Sequence, residues 1–237
     1  MIKKNGSALL LNSILLFFVH TVLQAQDATA LVQKVKNKIE MVHDYEALGR
    51  MKTNVSFLKI PVATVKIYFK KPNKLKIKNE KGISFVPKGA VSINLNNIVG
   101  GGKYTVLDAG TEKIGGVTVR MVKLLPDDDN AEVVLSTLYI DEANLIIKKA
   151  KTTTRENGSY ELEMTYGKYM EYGLPDKIIF SFNAKDYKLP KGITFDFDDG
   201  ETAKKTEDKA KNKKGRAEIT ISSYIINKGI ADAVFNN

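Results

Sequence analysis

Few residues of this sequence have the types and spacing that catalysis requires. Beyond residue 25 the sequence contains one histidine, His43. It lies where a predicted helix ends, a position at which histidine more often caps backbone carbonyls than transfers protons. No serine occupies a Gly-x-Ser-x-Gly elbow, and His43 is the only candidate base for a serine nucleophile. These observations argue against nucleophilic hydrolysis.

Carboxylates cluster twice, at Asp127–Asp129 and at Asp196, Asp198 and Asp199. Paired acids can hydrolyse glycosides, but they then project into a sugar cleft lined by aromatic rings. Here they lie at turn positions beside lysines, in a chain without tryptophan, and neither cluster has EF-hand spacing for calcium. The chain also lacks cysteine, which excludes disulfides and thiolate chemistry. We interpret the acids as solvated loop residues and predict no catalytic residue, no metal site, no cofactor and no enzymatic activity.

The stretch from Ala131 to Ala184 determines the predicted architecture. It contains three β-patterned runs, Val133–Thr154 (bent at Asp141–Asn144), Ser159–Met170 and Lys177–Asn183, with a turn signal at each break. Apolar and polar residues alternate along the second and third runs, so each strand is predicted to have one buried and one solvent-exposed face. The pattern predicts an antiparallel meander on which the rest of the chain packs.

The remaining elements extend this meander. Apolar residues at helical spacing from Asp27 to Val42 predict one long helix. Alternating runs predict further strands, bringing the total to about ten; they lie at Tyr45–Lys59, Val62–Lys71, Leu75–Asn79, Ile83–Val86, Tyr104–Leu107, a run around Val117–Met121, a run from Ile193 to Phe197, and Ala217–Ile226. The fold class is therefore mainly β (α+β).

One helix cannot cover so wide an apolar sheet, which must fold into a sandwich, close as a barrel or keep a hollow. A hollow would be a lipid site, whereas a fully packed core is the alternative that periodicity does not exclude. The side chains predicted to line this face share inward positions on different strands. They are Val65, Ile67, Phe69, Leu75, Ile77, Val119, Met121, Leu162, Met164, Ile178, Phe180 and Phe182.

The first 25 residues are predicted to be a signal peptide. Lys3 and Lys4 precede an apolar stretch from Ala8 to Leu23, and cleavage is expected near Ala25. Removing Lys3 and Lys4 lowers the formal net charge from +10 to +8. Residues 26–237 then form a single domain, in which residues 198–216 are predicted to be a mobile charged loop, because Gly200–Arg216 has no apolar residue larger than alanine.

Four phrases carry a resemblance to a known family. They are IYFKKPNKLKI at Ile67–Ile77, VRMVKLLP at Val119–Pro126, LYIDEANLIIKKA at Leu138–Ala150 and LPDKIIF at Leu174–Phe180. Together with a helix directly after the signal peptide, they resemble the periplasmic lipoprotein carriers and outer-membrane lipoprotein-sorting proteins (the LolA/LppX/RseB-like group). The resemblance covers nearly all of the mature chain.

The resemblance implies an unclosed, curved antiparallel β-barrel, a half-barrel, with the N-terminal helix and short helical segments over its concave face. Members carry lipoprotein acyl chains, bind other lipids or sense envelope lipoproteins. Carriers place an arginine before the proline of the lid/turn motif, where this sequence has Lys71 before Pro72. Lysine lacks the planar guanidinium fork, so the resemblance implies a weaker or absent lid latch. Ile83–Val86 replaces the carriers' tryptophan-containing phrase.

These observations predict a soluble periplasmic carrier that binds lipid or lipoprotein acyl chains for outer-membrane sorting. The alternative is an envelope sensor or scaffold with a packed core that binds a protein partner. The chain is expected to be a monomer that does not bind nucleic acid. Its positive charge favours transient contact with anionic lipid head groups or an acidic partner surface, or it serves only solubility.

Overall fold

A computed structural model describes most of the chain after the predicted signal peptide. The described residues are 27–55, 58–59, 62–72, 74–79, 102–156, 158–183 and 214–236. The predicted signal peptide, the strands predicted at Ile83–Val86 and at 193–197, and residues 198–213 of the predicted loop lie outside them. Within the described ranges, no helix has both the length and the apolar character needed to cross a membrane.

The single long helix of the described residues, α1, spans residues 27–40. Ala28, Leu31, Val32 and Val35 recur every three or four residues and are at most 6% exposed. Their spacing places them along one side of the helix, and they pack on the sheet. The helix predicted from Asp27 is confirmed, although its last turn ends at residue 40, before Val42.

Eleven strands follow within the described residues. They are β1 (Asp44–Val55), β2 (Leu58–Lys59), β3 (Ala63–Lys70), β4 (Lys74–Asn79), β5 (Tyr104–Ile114), β6 (Val117–Pro126), β7 (Val133–Asp141), β8 (Ile146–Thr154), β9 (Ser159–Thr165), β10 (Lys177–Asn183) and β11 (Lys214–Ile226). Two short 3-10 helices lie at Met170–Tyr172 and Asp232–Val234.

All strands belong to one antiparallel sheet, ordered β4-β3-β1-β11-β10-β9-β8-β7-β6-β5, with β2 paired to β1. Strands β5 to β10 are consecutive neighbours, which confirms the meander and divides its first run into β7 and β8. Strand β11 joins the meander to β1. Within the described residues the sheet does not close, since β4 and β5 are its outer strands. The described chain is thus the expected half-barrel.

Turn residues and bulges shape this sheet. Gly158 and Gly173 have φ of 67° in the connections that follow β8 and β9, a conformation that glycine adopts without strain. The register shifts between Leu48 and Gly49 in β1 and between Asp108 and Thr111 in β5. Such bulges bend a strand and increase its twist, so they contribute to the curvature of the half-barrel.

The end of the predicted charged loop is instead part of the sheet. Lys214, Gly215 and Arg216 begin β11 and pair with β10. A side chain at Gly215 would place its Cβ only 2.2 Å from the Phe182 ring, so the ring packs over the bare backbone. The prediction relied on the absence of large apolar residues, a signal that does not detect a strand carried by backbone pairing and a neighbouring aromatic ring.

Candidate acyl-binding face

The side of the sheet on which α1 packs is its inner face. The largest apolar group there, the helix cluster, joins α1 to β6–β11. Phe180 is fully buried in it, with ring centroids 5.4 Å from Tyr160 and 5.3 Å from Phe182. Such close contacts show a packed core under the helix. Its buried members are Ala28, Leu31, Val32, Val35, Val122, Leu124, Leu138, Ile140, Ile147, Ala150, Tyr160, Leu162, Met164, Ile178, Phe180, Phe182 and Ala217.

A second apolar group, the central cluster, lies on the inner face of β1, β3 and β11. Its members are 0 to 8% exposed, and half-buried Leu75 and Ile77 of β4 pack against them. No residue of α1 belongs to it. Its buried members are Ala47, Met51, Val65, Ile67, Ile219 and Ile221.

The two clusters share one face because strand register connects them. Ile219 of the central cluster pairs with Ile178 of the helix cluster and with Met51, and residues directly opposite each other in a pair point to the same side. Ten strands about 4.8 Å apart span roughly 43 Å. A helix over residues 27–40 is about 20 Å long and 10–12 Å across. The apolar inner face therefore extends well beyond the part that α1 covers.

Thr53 adds one polar atom to the buried set on β1. It shares the inner face with Ala47 and Met51, which lie six and two residues before it in an alternating strand. The residue is 5% exposed, and its hydroxyl oxygen has no hydrogen-bond partner among the described residues. Burying a hydroxyl without a hydrogen bond lowers the stability of the fold, so Thr53 is an unfavourable residue at this position of the inner face.

Aromatic residues gather at one end of the inner face. Tyr45 lies 5.2 Å from Phe69 and 5.3 Å from Tyr224, which lies 4.9 Å from Tyr169. The Tyr224 hydroxyl donates to the Pro175 carbonyl at 2.8 Å. With Val42 and Leu174 these residues form the end cluster.

Burial keeps the hydroxyls of these tyrosines protonated. Desolvation raises the pKa of Tyr45 and of Tyr224 far above the ordinary tyrosine value. It does the same to Tyr166, whose hydroxyl donates to the Ile147 carbonyl at 2.9 Å. None of the three can act as a base near neutral pH. These tyrosines were not among the predicted site residues, although Tyr45 and Tyr224 occupy inward positions of alternating strands.

The structure brings ten of the twelve predicted lining residues to the inner face. Five belong to the helix cluster: Leu162, Met164, Ile178, Phe180 and Phe182. Four belong to the central cluster or pack against it: Val65, Ile67, Leu75 and Ile77. Phe69 belongs to the end cluster. Whether they contact a lipid stays a prediction.

Val119 and Met121 do not join them. Met121 pairs with Tyr139, whereas its neighbour Val122 pairs with Leu138 inside the helix cluster. Because successive side chains of a strand alternate, Val119 and Met121 point to the outer face. Strand β6 carries apolar residues on both faces, so alternation alone could not decide which set faces inward.

Arg120 holds the N-terminal end of α1. Its guanidinium lies 3.3 Å from the Asp27 carboxylate, 2.6 Å from that of Asp108 and 3.7 Å from that of Glu142. Burial alone would raise the pKa of Asp108, but hydrogen bonds from Arg120 and Gly110, with the charge of Arg120, outweigh it and lower this pKa. Arg120 thus connects α1, β5, β6 and the β7–β8 turn.

Lysines hold the other end of α1. The Lys71 ammonium of the lid/turn motif donates to the Glu40 carbonyl in the last turn, and Lys38 donates to the Asn144 carbonyl at 2.7 Å. The Lys71 amide also donates to the His43 carbonyl at 2.9 Å. Cations near a helix C-terminus are favoured by its exposed carbonyls. Lys71 therefore contacts the helix directly, next to Pro72.

The residues first considered for chemistry have structural partners. His43 is exposed, and its amide donates to the Asn227 side chain. The Asp127 carboxylate accepts from Thr105, and that of Asp128 accepts from the Asn130 amide. The other acidic cluster, Asp196–Asp199, lies outside the described residues. Among the residues that are described, no group of three or more histidines or acids could hold a metal ion.

Comparison with known proteins identifies the fold and nothing narrower. No family model matches the sequence, and no curated protein matches it.

Solved structures, in contrast, align over nearly the whole chain. A domain assigned to outer-membrane lipoprotein sorting from Vibrio parahaemolyticus has a TM-score of 0.57 at 13% identity, covering 90% of this chain and 97% of the other. A DUF1329-family protein from Desulfovibrio piger has a TM-score of 0.56 at 12% identity, with the same coverage. A LolA-superfamily protein from Nitrosomonas europaea has a TM-score of 0.50 at 11% identity, covering 87% and 97%. The chain therefore has the fold of these lipoprotein-sorting and LolA-superfamily structures.

Proposed function

We propose that this protein is an exported carrier that binds the acyl chains of lipids or lipoproteins on the inner face of its half-barrel, without catalysing a reaction. The observation that carries the proposal is the apolar inner face that extends beyond α1 into the central cluster. The lipoprotein-sorting role assigned to the Vibrio parahaemolyticus domain supports it.

The energetics of acyl burial are adequate for capture. Each buried methylene contributes about 0.8 kcal/mol, so a chain of about 14 carbons offers roughly 10 kcal/mol before ordering costs. Association itself costs on the order of 4–15 kcal/mol. Net binding therefore requires an association cost at the low end of this range, where about 6 kcal/mol remains and transfer to a membrane can still reverse the binding, as a carrier requires. Met51 and Met164 place flexible side chains on this face and suit ligands of variable shape.

The test compares two neighbouring residues of β3. Ile67 points into the central cluster, whereas Tyr68 points to the outer face. The wild type should bind a fluorescent fatty-acyl probe, and Ile67→Ser should weaken that binding about tenfold by removing apolar contact. The matched control Tyr68→Ser should leave the affinity unchanged. Lipid extracted from the purified protein should contain acyl chains by mass spectrometry.

One observation favours a second function. The residues of the central cluster are at most 8% exposed, as in a packed core that needs no ligand. An envelope sensor or scaffold that binds a protein partner would have such a core. Under this alternative the purified protein carries no lipid, the wild type binds no acyl probe, and Ile67→Ser destabilises the fold by about 2–5 kcal/mol. Those three results together would exclude the carrier.

A further inference from the structure

The outer face of the β3–β4 hairpin carries five lysines around one tyrosine. Lys66 and Lys70 of β3 lie directly opposite Lys78 and Lys74 of β4, and Tyr68 lies opposite Lys76. All six point away from the inner face, because they alternate with Val65, Ile67, Phe69, Leu75 and Ile77. We call this surface the lysine face.

Sheet stability explains only part of this arrangement. Like charges directly opposite each other in an antiparallel pair destabilise it, and the lysine face contains two such pairs. Lysines on an outer strand protect a sheet from pairing with other chains, which accounts for those of β4. Strand β3, however, is paired on both sides, with β1 and β4. Edge protection therefore does not account for the lysines of β3, of which Lys70 lies opposite Asp44 of β1 and Lys66 lies opposite Leu48.

The C-terminal segment, residues 230–236, lies against the lysine face and supplies acceptors to it. The Lys70 ammonium donates to the Ile230 carbonyl at 2.9 Å and to the Asp232 carboxylate at 2.8 Å. Lys74 donates to the same Asp232 oxygen at 3.0 Å. These two hydrogen bonds lower the pKa of Asp232, so it stays ionised at neutral pH. Two ammonium groups thus converge on one anionic oxygen.

Further along the hairpin, Lys76 donates to the Asn236 carbonyl at 2.7 Å. Two peptide amides anchor the start of the segment, since those of Lys228 and Gly229 donate to the Asp44 carboxylate at 3.1 and 3.0 Å. The segment is therefore fixed at its base, while its exposed tip reaches over the lysines.

Exposed apolar side chains lie beside the lysines on the same outer face. Leu48, 38% exposed, pairs with Lys66, and Ile225, 54% exposed, pairs with Glu46 next to Tyr68. Glu46 and Asp44, which lies opposite Lys70, are acids within this row. Lysines that surround an aromatic ring and exposed aliphatic groups are typical of surfaces that lie at the interface of an anionic bilayer.

We infer that the lysine face docks the protein on an anionic bilayer, with lysine ammonium groups bound to lipid phosphates, and that the C-terminal segment competes for those groups. The Asp232 oxygen occupies the position that a phosphate oxygen takes on docking. This inference goes beyond the proposed function, because it concerns the face opposite the acyl-binding one.

Vesicle sedimentation tests the inference on the protein isolated from cells. The wild type should bind phosphatidylcholine vesicles that contain phosphatidylglycerol, and not pure phosphatidylcholine vesicles. Each lysine at an anionic surface contributes about a fivefold increase in partitioning, so the triple variant Lys66→Gln, Lys76→Gln, Lys78→Gln should bind about 100-fold less. The matched control changes the same charge at the other end of the sheet, at Lys103, Lys113 and Lys123, and should lose less than about threefold.

Asp232→Asn should act in the opposite direction. Removing the competing carboxylate should strengthen vesicle binding about fivefold, by analogy with one added basic group. Binding of the acyl probe should be unchanged in every lysine variant, which separates failure of this inference from failure of the proposed function. Circular dichroism should show that each variant folds.

Three results would overturn the docking role. They are absence of wild-type binding to anionic vesicles, an equal loss in the control triple variant, and capture by polyglutamate but not by vesicles. An Asp232→Asn variant that binds no better than the wild type would exclude the competing role of the C-terminal segment.

Discussion

Two buried threonines of the sheet differ in what their hydroxyls contact. The Thr53 hydroxyl is buried and has no partner in the part of the chain that the structure describes. The Thr152 hydroxyl lies 3.1 Å from that of Ser136, and both residues are at most 2% exposed. Valine matches threonine in shape but cannot form a hydrogen bond, so the same substitution should have opposite effects at the two positions.

Thr53→Val is expected to raise the free energy of unfolding by about 1 kcal/mol, because it removes an unsatisfied polar group from the core. The melting temperature should rise by about 2–4 °C. Thr152→Val is the control and should lower stability by about 1–2 kcal/mol, since Ser136 loses its partner. Thermal unfolding of delipidated protein measures both. A Thr53→Val variant that melts lower than the wild type would mean that this hydroxyl has a partner.

Single inward residues were predictable where only one face of a strand is apolar. In β3 and β9 the alternation leaves one choice, and Val65, Ile67, Leu162 and Met164 were placed on the correct face. Strand β6 is different, because Val119 and Met121 on one face compete with Val122 and Leu124 on the other. Only the register with β7 resolves that ambiguity, and register is a tertiary property.

Among the elements, α1 depends on attachment at its two ends as well as on its apolar stripe. Arg120 joins Asp27 of α1 to Asp108 of β5. The pKa of Asp108 is lower in the folded protein than in the unfolded chain. Folding therefore favours the ionised carboxylate, and the stabilisation is present above the ordinary pKa of aspartate, about 4, and is lost as the pH falls through the lowered value.

Asp108→Asn should lower the free energy of unfolding by about 1–2 kcal/mol at neutral pH, because it removes a hydrogen-bonded ion pair. The difference from the wild type should be constant near neutral pH and shrink as the pH falls below about 4 and through the lowered pKa of Asp108, where the wild-type carboxyl becomes protonated too. Asp129→Asn, at an exposed turn carboxylate, is the control and should show little difference at any pH. Urea unfolding across this pH range measures the effect. A difference that is constant with pH would show that Asp108 acts through packing alone.

Local elements were predictable, but one central pairing was not. Turn residues separate β8, β9 and β10 and reveal the meander. Strands β1 and β11, in contrast, pair Tyr45 with Ile226 across almost the whole chain. No periodicity signals such a long-range contact, because alternation defines a strand's faces and not its neighbour. The fold class therefore followed from the residues, and its expected openness from the resemblance, while the strand order required the structure.

The whole molecule presents two chemically distinct faces on a single sheet. The inner face is apolar and receives α1, whereas the outer face carries lysines on β3 and β4. A carrier that exchanges acyl chains with a membrane needs both an apolar surface that binds the chains and a second surface that binds the membrane. The proposed division of roles requires that the protein reach the envelope, and the first 25 residues are predicted to direct it there.

Cleavage after Ala25 is expected to determine where the whole molecule is located. Cleavage there leaves Gln26 at the N-terminus, one residue before α1, and retains the Asp27–Arg120 contact. The envelope fraction should contain a soluble protein smaller than the 26.3 kDa precursor, with Gln26 first by N-terminal sequencing. Ala25→Arg should block cleavage, which requires a small residue at this position, and should leave the precursor in the membrane fraction. Wild-type protein that retains Met1 and sediments with membranes would contradict the soluble carrier. The N-terminal segment would then tether the half-barrel permanently, and transfer between membranes would not be its role.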